Sequence, residues 1–126
     1  MLDHLFKPRS VAVIGASKDH TKLGSVVLKN VIEGGYKGSI YPINPKADKI
    51  MGFKAFPSIL GLGEIDLAVI ATPAKNVLET LEECVQGNVR TAFIFSSGFG
   101  ELNEAGKKRE EELVSAARRG GLRFVG

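Results

Sequence analysis

The sequence is short of cysteine, of long apolar runs and of charge of one sign, and each shortage removes a class of function. A single cysteine, Cys84, excludes an internal disulfide and any multi-cysteine metal site. No apolar run approaches the roughly 20 residues that a membrane-spanning helix needs. The start, Met1-Leu2-Asp3-His4, has no basic segment leading into an apolar one, so no secretory signal is read there and a cytoplasmic location is expected. The formal net charge is only +3, and the basic residues form no stripe with aromatic stacking partners: Lys107, Lys108 and Arg109 run straight into Glu110, Glu111 and Glu112. Neither nucleic acid nor membrane is an expected partner. The scattered lysines suit a small anionic ligand better.

What is present is a length of 126 residues with 44% hydrophobic and 25% charged positions, which fits one compact domain over 1–126. Short β-rich runs alternate with helix-like stretches and are separated by glycines. Val11-Ala12-Val13-Ile14 is a continuous apolar run ending at Gly15, as expected of a strand buried on both faces. From Leu23 to about Glu33 the spacing turns helical, with Val27 and Val31 on one face, and Gly34-Gly35 stops it as a left-handed cap would. Ser39 to Ile43 reads as a second strand whose regularity is ending near Pro42. Phe53 to Phe56 reads as a short third, and Leu67 to Ala71 is the clearest strand in the chain.

Pro73 then stands where a first-turn proline belongs, and Val77, Leu78, Leu81, Cys84 and Val85 form an apolar stripe closed by Gly87. Thr91 to Phe95 is the next strand. Asn103 opens a charged helix ending at Gly120-Gly121, and Leu122 to Val125 begins a last strand. Strands alternating with helices, joined by connections too long for hairpins, imply a parallel sheet with helices on both faces. The predicted architecture is a doubly wound, Rossmann-like α/β fold of about six strands in the order 3-2-1-4-5-6, with its switch point between the strands at Val11 and Leu67.

Ligands of such sheets bind beyond the carboxyl ends of the strands at the switch point. That rule selects three loops: Gly15-Ala16-Ser17-Lys18, Ala71-Thr72-Pro73-Ala74 and Ser96-Ser97-Gly98-Phe99. Each follows a strand and leads toward a helix, whose free N–H groups and positive end favour an anion. The first loop lacks the G-x-G-x-x-G fingerprint, since Gly15 is followed by a longer turn before Leu23-Gly24, and it lacks a P-loop as well. Gly15 and Gly24 can also be explained by a tight turn and close helix packing alone.

At the end of the second strand, NAD would call for an acidic residue to hold the ribose hydroxyls. The seat reads Asn44-Pro45-Lys46, and the nearest acid, Asp48, is followed by Lys49. A lysine there suits a ribose phosphate, which carries about −1.5 to −2 charge at neutral pH. Coenzyme A with its 3′-phosphate and NADP with its 2′-phosphate both fit, and NAD does not.

The run from Leu5 to Ser17 resembles the opening of the CoA-binding domain of ADP-forming acyl-CoA synthetases, relatives of the succinyl-CoA synthetase α subunit. Further matching stretches are Gly35 to Lys46, Asp66 to Ala74, and Ser96 to Glu101, in the right order along nearly the whole chain. The resemblance implies binding of CoA or acyl-CoA. By position, Ala16, Ser17 and Lys18 match the family's phosphate loop, and Lys46 matches a lysine at the nucleotide end of CoA. Thr72, Pro73 and Ala74 match a loop along the cofactor, and Ser96, Ser97 and Gly98 match the segment near the pantetheine arm. With Gly15, Gly24 and Asn44 these make up the candidate cofactor-binding set.

The family's phosphohistidine belongs to a later domain, and neither His4 nor His20 has its context. No catalytic or metal-binding residue is therefore expected, although Glu101 falls near where the CoA thiol should point. Members of the family usually continue Gly-Pro-Asn-Cys after Gly126, so residues 1–126 are expected to be an excised N-terminal part. The remaining synthetase domains or subunit are its expected partners. The alternatives are a regulatory module that senses CoA or acyl-CoA, alone or fused to an acetyltransferase, and an NADP-binding oxidoreductase domain.

Overall fold

A computed structural model describes residues 8–95 together with 111, 115 and 123–125. Five parallel strands form the main sheet: β1 (Ser10–Ile14), β2 (Ser39–Ile43), β5 (Ile65–Ile70), β6 (Val89–Ile94) and β7 (Arg123–Val125). Their order is β2-β1-β5-β6-β7. Val11 pairs with Ile40 on one side and Leu67 on the other, so the chain reverses its direction of winding between β1 and β5, as the switch-point prediction required.

The continuous apolar runs are explained by burial on both faces. Side chains alternate across a strand, and here Ala12, Ile14, Ala68 and Ile70 join one core cluster while Val11, Val13 and Val69 join another. Helix α1 (Leu23–Glu33) covers the second face through Leu28. Helix α2 (Val77–Gln86), entered through a 3-10 turn at Ala74–Asn76, covers the first through Val77, Leu81 and Cys84. Leu28 and Leu81 are wholly buried, and each such side chain contributes about 1.5–3 kcal/mol.

Both helices stop at glycines, by different means. At α1, Gly34 stays near-helical and Gly35 takes the left-handed conformation at φ +80°. At α2 the cap is Gly87, as expected, and the left-handed residue is Asn88, φ 60°, just beyond it. Gly87 instead answers to space, because a Cβ there would lie 3.2 Å from the Glu83 carbonyl oxygen.

The predicted third strand differs most. Phe53–Lys54 (β4) pairs antiparallel with Lys49–Ile50 (β3). The two are joined by a tight turn in which Met51 and Gly52 both have positive φ, the hairpin geometry that matches strand twist. The backbone of 53–54 is thus committed to β3, and only Phe56 reaches the main sheet, through one parallel bridge to Ile43. Pro42 does not end β2. Its carbonyl accepts the Phe56 N–H at 2.9 Å on the outer edge, where its own missing N–H also falls, so no rung to β1 is lost.

At the opposite, N-terminal rim of the sheet the buried Asp66 carboxylate accepts the Arg9 backbone N–H (2.8 Å) and its Nε (3.2 Å), and lies 3.5 Å from Arg90 Nε. Arg90 also pairs with Glu64. Tyr36 donates its hydroxyl to the Pro8 carbonyl at 2.6 Å. Burial, with the negative charge of Asp66, raises its phenol above the ordinary value. No helix among the described residues is long and apolar enough to cross a membrane. The loop Ser96-Ser97-Gly98, Glu101, His4 and most of the predicted Asn103–Gly120 helix lie outside the described residues, although Glu111 and Ser115 are helical.

Candidate functional site

The carboxyl ends of four parallel strands are laced together. Gly15 donates its N–H to the Ile43 carbonyl (3.2 Å), Ala71 to Ile14 (2.8 Å) and Phe95 to Ile70 (2.8 Å). Asn44 Nδ2 donates to the Ala16 carbonyl at 2.9 Å and so ties the end of β2 to the loop after β1. Above these links lies a cleft of about 820 Å³, within the usual size of small-molecule sites, about 300–1,000 Å³.

Gly15 has φ +95°, and a Cβ there would stand 2.8 Å from the Ala71 carbonyl oxygen, so the turn out of β1 needs glycine for conformation and for space alike. Beyond it the loop holds itself. Ser17 Oγ accepts the Asp19 N–H at 3.0 Å, and Asp19 Oδ1 accepts both the hydroxyl (2.7 Å) and the N–H (2.9 Å) of Thr21. These bonds, the hydroxyl's first, hold the Asp19 carboxyl below the usual carboxylate range. The Asp19 carbonyl then accepts the Lys22 N–H at 3.0 Å, and Lys22 enters α1 with no side-chain cap. The first turn of α1 therefore faces the loop with its positive end uncapped by a side chain.

Of the sequence-predicted residues, Gly15, Ala16, Ser17, Asn44, Thr72 and Pro73 line this one cleft. Lys46 does not line it, but follows Pro45, which does, and its N–H is held by Asn44 Oδ1 at 2.8 Å. Lys18 and Ala74 adjoin lining residues without being among them. Gly24 lies buried beneath, where a Cβ would collide with the Gly15 carbonyl. It shapes the loop from below.

The sequence reading missed two walls. Lys22, four positions after Lys18, is the loop lysine that lines the cleft. The connection Pro57-Ser58-Ile59 and the Glu79–Glu83 face of α2 form the far side. The α2 wall had a signal, since Glu79, Thr80 and Glu83 flank the apolar stripe beside a selected loop. Residues 57–59 carry no periodicity that marks them. Glu83 Oε1 accepts the Ser58 hydroxyl at 2.7 Å, and Ser58 Oγ accepts the Leu60 N–H at 3.1 Å. Cys84, on the same helix, points into the core, and burial pushes its thiol up to about 12.

Comparison with known proteins adds three findings. A protein-family profile described as "CoA binding domain" matches residues 9–126. The α subunit of an ADP-forming acetate–CoA ligase I of Pyrococcus furiosus is 51% identical over 99% of this chain and 28% of its own length, and that of ligase II from the same organism is 46% identical over 100% and 28%. The structure of a dinucleotide-forming acetyl-coenzyme A synthetase 1 from Ca. Korarchaeum cryptofilum, solved with phosphate and ADP, superimposes with a TM-score of 0.94 at 42% identity, covering 100% of this chain and 27% of that one. The chain thus spans little more than a quarter of the length of these relatives.

Proposed function

Because this chain belongs to the CoA binding domain family, we propose that its cleft holds coenzyme A or an acyl-CoA on behalf of a larger ADP-forming acyl-CoA synthetase. One observation carries the reading: the ends of β1, β2 and β5 converge on a single cleft whose donors suit a phosphorylated adenosine carrier.

The residues present fit that group. Lys22 and the side-chain-uncapped start of α1 stand beside Ser17, where a pyrophosphate gains both charge and hydrogen bonds. Ser17 accepts from Asp19 and keeps its hydroxyl proton to donate to a phosphate oxygen. Lys46, one residue past the rim at Pro45, reaches a ribose 3′-phosphate. Thr72 and Pro73 lie along the carrier, and the family resemblance adds Ser96, Ser97 and Gly98 as candidates for the pantetheine arm. Gly15 and Gly24 keep the loop close to the sheet so that its backbone can approach the phosphates.

Bound CoA supplies the thiol that takes the acyl group. The remaining domains of the synthetase make the acyl phosphate, so this chain orients and holds while others perform the chemistry. Calorimetric titration of the chain with CoA, dephospho-CoA and NADPH tests the reading. CoA should bind, dephospho-CoA about tenfold more weakly, and NADPH weakly or not at all. Lys46→Ala should abolish the preference for the 3′-phosphate. Absence of CoA binding, or tighter binding of NADPH, overturns the assignment.

A further inference from the structure

The cleft is polarised in charge. Its β1 side presents Lys22, the Ser17 hydroxyl and a helix start, whereas its α2 side presents two carboxylates, Glu79 and Glu83, one helical turn apart. An anionic ligand gains on the first side and is repelled by the second. The ligand must therefore turn an uncharged, hydrogen-donating end toward α2.

The surroundings of Glu83 define that end further. Pro57 lines the same cleft and is exposed, so it offers apolar surface to a flat group, whereas Ile43 and Ile59 line it but are almost wholly buried. Glu83 is half-buried, and the Ser58 hydroxyl pins its Oε1 at 2.7 Å. The single proton of Ser58 is used in that bond, so the pair faces the cleft with acceptor capacity only. Ser58 also lies on the ribose side: two residues earlier, Phe56 bridges Ile43, and its carbonyl accepts the Asn44 N–H at 2.9 Å beside Pro45. A group reached from the β2 end, planar, apolar on its faces and carrying an amine at its edge describes adenine.

We propose that Glu83, positioned by Ser58, accepts the exocyclic amine of the ligand's adenine and makes the site selective for a 6-amino over a 6-oxo purine. This rests on the CoA reading above, and it names the residue that recognises the base. A 6-oxo purine turns a carbonyl oxygen toward the carboxylate, and two acceptors facing each other repel.

The test compares CoA with its deaminated, hypoxanthine-bearing analogue by calorimetry on the wild type, Glu83→Ala, Glu83→Gln and Ser58→Ala. The wild type should prefer CoA by about tenfold. Glu83→Ala should lose that preference, both by weakening CoA and by relieving the repulsion of the analogue. Glu83→Gln should lose it as well, because its one oxygen stays on the Ser58 hydroxyl and its amide N–H groups face the purine edge, and Ser58→Ala should reduce it severalfold. Equal affinities in the wild type, or a preference that survives in Glu83→Ala, overturns this inference while the CoA reading stands. A wild type that binds neither ligand overturns both.

Discussion

Gly24, the second residue of α1, packs so closely over Gly15 that a Cβ on it would collide with the Gly15 carbonyl. The helix start and the turn out of β1 therefore sit as one unit, and their spacing sets the height of the loop above the sheet. Gly24→Ala has to push α1 away from backbone atoms that cannot rotate aside. Overpacking of this kind costs about 1–3 kcal/mol. A lower urea midpoint is expected, together with CoA affinity reduced by more than the stability loss accounts for, measured at a temperature where the variant is fully folded.

Lys22 and Lys18 should separate cleanly. Lys22 lines the cleft and Lys18 does not, because the Ser17–Asp19–Thr21 hydrogen bonds curl the loop between them. Lys22→Ala should weaken CoA binding by about tenfold or more and flatten its dependence on salt. Lys18→Ala should leave both nearly unchanged.

Asp66 lies at the other rim of the sheet, so its contribution is to stability and not to binding. Asp66→Asn removes the charge that holds Arg9 and Arg90. Both arginines are substantially exposed, which limits the loss to about 1–3 kcal/mol. Denaturant unfolding should show that loss, and CoA titration of the folded variant should match the wild type.

Cys84 gives a pH signature. Its thiol titrates at about 12 in the folded chain against an ordinary 9.0, because burial disfavours the thiolate. Below pH 9 both folded and unfolded chains keep the proton. Between 9 and about 12 only the unfolded chain releases it, so stability falls as pH rises through that window. Urea midpoints at about pH 8 and about pH 10 should show the decline, and Cys84→Ala should lose that share of it. The folded thiol should resist alkylating reagents at neutral pH.

Much of the fold was legible because burial on both faces leaves a plain trace. The apolar runs at Val11–Ile14 and Leu67–Ala71 mark two central strands of the sheet, and the glycine stops at 34–35 and 87 bound the helices between strands. Two of the selected loops, at Gly15–Lys18 and Ala71–Ala74, follow from those strands alone. The hairpin at 49–54 left no such trace, since Met51 in a left-handed turn carries none of the glycine or asparagine chemistry that signals one. Within the site, residues set by a strand end, such as Ser17, Asn44 and Thr72, could be found. Ser58 could not, nor could its pairing with Glu83, because the two meet across 25 positions of sequence, and only the folded connection brings them together.

The outer border of β2 has one further consequence. A proline without an N–H, a single bridge at Phe56 and a short hairpin bent back on itself replace what would otherwise be an open row of backbone donors and acceptors. Such a border is a poorer template for a stray strand than an open edge would be. Growth of the sheet into fibrils or swapped assemblies is hindered on that flank by residues that directly adjoin Ile43 and Pro57 of the cleft wall.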